Sequence, residues 1–303
     1  MDYADDVRMS ERGIKEMSEA YRKIRNTFRY LLGNLEDYAR FDREQVDVET
    51  LHPLDRWALG QLNALVRDVR AAYEAFEFYR VHQRIYQFVS VTLSSLYLDV
   101  LKDRLYAEAP AGPHRRAAQY VLATLHETLT RLLAPIVPHT AEELWDFLPA
   151  RPDKPASVHL AEWPEPDPRW DDPARDATCE ELLAIRNEII RELEKLRAAK
   201  TIGSAQEALV RLDSSDATLK ALLVEHRALL TTLAIVSDVE IGDLPAGAAT
   251  GTDLPALRLS AVRSPHSKCE RCWNLRPTVG QSEAHPTLCA RCVEVLTARG
   301  DGV

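Results

Sequence analysis

Four of the five cysteines fall into two tight pairs, Cys269 with Cys272 and Cys289 with Cys292, with 16 residues between the pairs. Each C-x2-C can present two thiolates from one turn, and two facing turns make the tetrahedral all-sulfur shell that zinc prefers. Soft thiolates and four-coordination exclude magnesium and calcium. The spacing therefore predicts one structural Zn2+ on Cys269, Cys272, Cys289 and Cys292, with no open position for chemistry. Two disulfides or a redox C-x2-C are the competing readings, and an iron–sulfur cluster usually draws its ligands from more compact or longer-range spacings. A tail of about 35 residues has too little apolar content to fold alone, so the metal must supply folding free energy on the order of 10 kcal/mol. Cys179, alone in helical sequence, reads as a buried apolar residue.

Ahead of the cysteines the periodicity is helical. Ile14, Met17, Tyr21, Ile24, Phe28 and Leu31 form one apolar stripe, with Ser10 as N-cap and Gly33 as C-cap of a helix over 11–32. Leu54–Phe78 and Val81–Leu105 read as two more helices, and a third runs near 114–134. Thr140 and Glu143 suggest a capping box for a short helix through Phe147. Nothing before position 148 alternates like a strand, so residues 1–148 read as a helical bundle. Seven of the 17 prolines lie between Pro149 and Pro173, together with Trp163 and Trp170. Residues 149–176 are thus expected to form an extended arm packed on the bundle by its tryptophans. A helix through Leu182, Ile185, Ile189, Leu193 and Leu196 ends near Gly203. It is followed by strands at 209–212, 236–241 and 257–262 and a helix at about 216–233. The expected fold is mainly α, with a small α/β junction domain over 177–263 and a four-cysteine zinc module over 264–303.

The chain of 303 residues is 46% hydrophobic and 28% charged, enough apolar material for a packed core and against wholesale disorder. Its longest uncharged apolar run, Ile85–Leu98, is too short to span a bilayer. The acidic opening is unlike a signal peptide, so a cytoplasmic protein with no membrane partner is expected. The net charge of −9 argues against nucleic acid only until it is read by segment. Tyr21–Tyr30 carries Arg22, Lys23, Arg25 and Arg29 with no acid. Arg22, Arg25 and Arg29 line one helical face with Asn26 adjoining, which suits a phosphate backbone as well as it suits plain solvation. Lys268, Arg271, Arg276 and Arg291 surround the cysteines, and Trp273 follows the second of them. Cations beside an aromatic ring fit phosphate contact with base stacking; a ring covering the metal site fits equally.

No phosphate-binding glycine loop, dinucleotide fingerprint or serine nucleophile elbow is present, and the nine histidines show no paired metal spacing. No catalytic constellation is visible. Several segments nevertheless resemble one family: DYADDVRMS at the start, YRKIRNTFRYLLGNL at 21–35, LYLDVLKDRLY at 96–106, LLAPIVPHTAEELW at 132–145, SVHLAEWP at 157–164, LEKLRAAKTIGSAQEA at 193–208, and KCERCW with LCARC. In this order they are similar to the C-terminal part of bacterial isoleucyl-tRNA synthetase. The resemblance implies an anticodon-binding helical domain, a junction domain and a zinc module, and tRNA(Ile) as partner. Arg22, Arg25, Asn26, Arg29, Lys268, Arg271, Trp273 and Arg291 are the candidate tRNA contacts.

In that family an upstream domain with HIGH and KMSKS signatures joins isoleucine to tRNA with ATP and Mg2+, and an inserted domain edits valine. This chain contains no His-x-Gly-His, and Lys15-Glu16-Met17-Ser18 matches the second signature only superficially. The resemblance thus implies tRNA binding here and ligase activity for the complete enzyme. Met1 is expected to open a fragment or split reading frame, working as a monomer with the catalytic and editing domains. A formamidopyrimidine-type DNA glycosylase shares the finger, but it needs a proline nucleophile where this chain has Asp2-Tyr3. A free-standing RNA-binding protein is the third reading.

Overall fold

The computed structural model describes residues 10–38, 46–148 and 154–299. Most of the opening motif lies outside those residues. The chain divides into two compact units, one of residues 1–101 and 110–176, the other of 102–109 and 177–303.

The first unit is helical. α1 (Glu11–Gly33) starts as expected, with the Ser10 side chain accepting from Gly13 N, but its C-cap is Asn34 rather than Gly33. Only half of its stripe is buried. Ile24, Phe28 and Leu31 are in the core, whereas Ile14, Met17 and Tyr21 are 56%, 48% and 39% exposed. Most tertiary partners lie along the helix's second half, where Thr27 meets Ser94, Tyr30 donates to Leu98 O and Phe28 stands edge-on to His126.

α2 (Pro53–Glu74) ends earlier than its periodicity suggested, because Phe76 adopts a left-handed φ of 59° and turns the chain. α3 (Phe78–Gln87) continues into a π-helical segment, Phe88–Tyr97, and then α4 (Leu98–Val100). The sequence reads simply as helix here. Wide winding is supported by Ser94 and Ser95, whose hydroxyls donate to carbonyls five residues back, and by buried Tyr97, which donates to Asp55 at 2.8 Å. α5 (Lys102–Ala107) belongs to the other unit. α6 (Pro113–Leu133) packs back along the bundle, and α7 (Pro138–Asp146) begins with Pro138 at its first turn. No capping box forms at Thr140, which instead meets the Tyr21 hydroxyl at 2.9 Å.

The arm is held more by one amide than by its rings. Trp163 does pack edge-on to Tyr73, with centroids 5.1 Å apart. Fully buried Asn63, however, donates to Asp167 O at 2.6 Å and to Asp171 Oδ1 at 3.0 Å, while accepting from Asp167 N at 2.9 Å. Asn63→Ala should therefore destabilise this unit by about 1–3 kcal/mol, the cost of stranding buried polar groups. Urea unfolding checks this, and an unchanged midpoint would show that the Asn63 amide does not hold the arm.

α8 (Pro173–Ala198) starts inside the proline-rich stretch, with Pro173 in its first turn. In the second unit the sheet order is β2-β1-β4-β3, with β1 (Ala208–Ser214) parallel to β2 (Asp238–Ile241) and antiparallel to β4 (Leu257–Arg263). The single helix expected between β1 and β2 is two, α9 (Ala217–Glu225) and α10 (Arg227–Ala234), interrupted at His226. The Gly/Ala/Thr loop contributes a short edge strand, β3 (Ala249–Thr250). Glu188 on α8 is 3% exposed and accepts from Thr252 N and Asp253 N. Burial raises its pKa, but those two amides and Arg191 outweigh the burial and keep it below the ordinary carboxylate value. α11 (Ala290–Arg299) closes the described chain.

Candidate functional site

The two cysteine pairs come together. The Sγ atoms of Cys269, Cys272, Cys289 and Cys292 all lie within 4.8 Å of one another, and all four residues are buried. Cys272 Sγ and Cys289 Sγ are 3.8 Å apart. A tetrahedron with Zn–S bonds of about 2.3 Å has edges of about 3.8 Å, so the donor set fits zinc. Local hydrogen bonds build the first turn: Trp273 N donates to Cys269 O at 2.8 Å and Cys269 N to Asn274 O at 2.9 Å. Cys289 precedes α11 and Cys292 lies in its first turn, where the helix dipole favours thiolates. Hydrogen bonding from Cys292 and the Asn274 amide pulls the Cys272 thiol down to about 4, while Cys292 is pushed up by the same sharing.

The wall of this knuckle includes a segment distant in sequence. Ala107 of α5 packs with the four cysteines, alongside Val279 and Leu288. Arg271 donates to Ala107 O, and Arg291 makes a bidentate pair with Asp103 at 2.5 and 2.7 Å, with Glu108 at 3.7 Å. The Asp103 carboxylate holds the Arg291 guanidinium above its ordinary pKa. Two of the sequence-derived candidates, Arg271 and Arg291, are thus committed within the unit. Nothing local in the sequence marks Asp103, Ala107 and Glu108 as partners of the knuckle; of the three only Asp103 lies within a segment that carries the family resemblance.

Trp273 is held differently. It is 59% exposed, beside four cysteines that are themselves buried. Its φ of 64° is a backbone state that costs a non-glycine residue on the order of 1 kcal/mol. Exposed Lys268 sits with Nζ 5.5 Å from the ring centroid.

The basic face of α1 is open. Arg22, Arg25, Asn26 and Arg29 are all exposed, and none of the three arginines has an ion pair with a described residue. Several other arginines are matched: Arg67 with Asp171, Arg70 with Glu165, Arg115 and Arg116 with Asp37, Arg191 with Glu188. Among the described residues no helix is long and apolar enough to cross a membrane.

The helical unit thus carries an exposed basic face on α1, and the sheet unit carries a buried four-thiol knuckle. Residues 55–212 match the anticodon-binding domain of tRNA ligase, and the chain belongs to that family. Residues 267–295, which hold all four cysteines, match the zinc finger found in FPG and IleRS. The relatives along nearly the whole chain are isoleucine–tRNA ligases: 42% identical over 298 residues in Syntrophotalea carbinolica, 41% over 299 in Moorella thermoacetica and 40% over 300 in Geobacter sulfurreducens. These alignments cover 97–98% of this chain and 32% of each relative. The chain spans about a third of the curated relatives it matches, corresponding to the C-terminal anticodon-binding region of isoleucyl-tRNA synthetase. The glycosylase reading is left with the shared finger alone.

Proposed function

We propose that this chain supplies anticodon-side recognition of tRNA(Ile) to an isoleucine–tRNA ligase, as a cytoplasmic monomer with one structural zinc. The observation that carries this reading is the exposed, unmatched face of Arg22, Arg25 and Arg29 in a protein of net charge −9. RNA is drawn to such a face and repelled elsewhere, which favours one docking orientation. Arg22, Arg25 and Arg29 contact phosphates, with Asn26 beside them. Trp273 stacks on an unpaired base, and Lys268 neutralises the adjoining backbone. Arg271 and Arg291 serve the same surface by holding the knuckle's form. Zinc on Cys269, Cys272, Cys289 and Cys292 fixes the turn that carries Trp273. In the complete ligase ATP and Mg2+ serve the catalytic domain only, and the catalytic and editing domains are this chain's protein partners. The chain alone performs no aminoacylation, and isoleucine-dependent ATP–pyrophosphate exchange by it would contradict that part.

Salt dependence tests the RNA contacts. Arg25→Ala should reduce the slope of log affinity against log salt by roughly 0.7 to 0.9, whatever the sequence. Trp273→Ala should cost about 1–3 kcal/mol with little change in slope. If Trp273→Ala leaves affinity untouched in metal-loaded protein, the ring is not a stacking platform.

A further inference from the structure

The chain has 47 acidic residues, yet two long stretches hold none: 20–35, which is most of α1, and 78–98, which is α3 with the π-helical segment. Far apart in sequence, the two pack together. Thr27 Oγ1 meets Ser94 Oγ at 3.0 Å, Tyr30 donates to Leu98 O at 3.1 Å, and Lys23 Nζ stands 5.9 Å from the Tyr86 ring centroid. The acid-free surface is therefore two helices wide, in a protein of net charge −9. An anionic polymer meets no repulsion from either helix, which is the footprint expected of a contact with its backbone.

The second helix does not add free charge. Arg80 and Arg84 are paired with Glu77 and Asp68. It offers neutral donors instead. By helical spacing Gln83 and Gln87 lie on the outward arc of α3, between Tyr86 on the side of α1 and Arg84 on the side of Asp68 in α2. Both are exposed, and neither amide bonds a described residue. Lys23 marks the seam between the helices. It is exposed and has no ion pair with a described residue; its ammonium stands over the Tyr86 ring, within the range of about 6 Å at which the two attract. Tyr86 in turn stacks on His82, with centroids 6.1 Å apart and planes inclined by 12°. A carboxylate would hold the lysine and cancel its charge; a ring holds it and leaves the charge for a phosphate.

We infer that the RNA backbone crosses from α1 onto α3. Lys23, braced by Tyr86, takes a phosphate at the seam, and Gln83 and Gln87 donate to phosphate or ribose oxygens beyond it. This rests on the reading that the chain binds tRNA, and it widens the contact from one helix to two. Tyr86 is a positioning residue that acts through Lys23.

The test is a titration of the full, metal-loaded chain with tRNA(Ile) at several salt concentrations, with the urea midpoint measured for every variant. Lys23→Ala should lower the slope of log affinity against log salt by roughly 0.7 to 0.9. Replacing Gln83 and Gln87 together by alanine should weaken binding by roughly 5- to 150-fold, the loss of two neutral hydrogen bonds, with the slope unchanged. Tyr86→Leu should weaken binding in the wild type and have no effect in the Lys23→Ala background. Wild-type affinity in the double glutamine variant, or an unmoved slope in Lys23→Ala, overturns the inference, while a slope reduced in Arg25→Ala would leave the tRNA reading standing. Equal losses from Tyr86→Leu with and without Lys23 overturn the brace. A binding loss in the glutamine variant that comes with a lowered urea midpoint overturns the inference as well, because those side chains would then serve the fold. If the wild type does not bind tRNA(Ile), the underlying reading falls too.

Discussion

Cys289→Ser releases the metal and unfolds the knuckle together with α5, while the helical unit stays folded. Binding energy on the order of 10 kcal/mol is folding energy for such a module. The buried core around Cys269, Cys272, Cys289 and Cys292 contains little else, Ala107 with partly buried Val279 and Leu288. Without zinc the four thiols have only each other, and the grip of Arg271 and Arg291 on α5 loses its base. Hydrogen exchange should show protection lost over 102–109 and 264–299 and kept in α1, α2 and α6. Full zinc occupancy in the variant, or intact protection without metal, would contradict the account.

Asp37→Ala has the next largest effect, on the helical unit. The carboxylate accepts from Arg115, Arg116 and Gln119, whose side chains come from the first two turns of α6. Both arginine side chains are largely buried, at 15% and 12% exposure, and Gln119 is fully buried. Removing their shared acceptor leaves two desolvated cations short of charge. A loss of about 2–3 kcal/mol is expected, reduced from that of a fully buried pair because Asp37 itself is 36% exposed. Burial raises the Asp37 pKa, but hydrogen bonds from Arg115 and Gln119 and the two positive charges more than reverse it, leaving the carboxyl well below 3.8. A depressed carboxyl stabilises the fold at every pH above its unfolded value and loses that contribution as pH falls below it. The wild type's advantage over Asp37→Ala in urea unfolding should thus be full near neutral pH and shrink below the ordinary carboxylate value. An advantage independent of pH would show that charge is not its source.

Legibility followed the reach of each interaction. Each cysteine pair, the Ser10 cap and the basic face of α1 are set by spacings of three or four residues, and the sequence displays such spacings directly. What escaped depends on partners far along the chain. Asn63 looks like any helical asparagine until Asp167 and Asp171 arrive from more than 100 positions away. The π-helical winding of Phe88–Tyr97 keeps an apolar pattern that ordinary helix would also satisfy. α5 continues the run of helix and reads as bundle, yet its contacts are with the knuckle. Half of the α1 stripe lies uncovered because amphipathicity marks a face that can be buried, not the neighbour that buries it.

The central claim is recognition of one tRNA through few phosphates and stacked bases. The most direct measurement is a binding titration of the metal-loaded chain against tRNA(Ile) and a non-cognate tRNA at several salt concentrations. The account predicts tighter binding of tRNA(Ile) at every salt, a common negative slope for both, and a slope reduced by roughly 2 to 2.7 when Arg22, Arg25 and Arg29 are all replaced by alanine. Equal affinity for the two tRNAs, or a slope unmoved by the triple replacement, would contradict it.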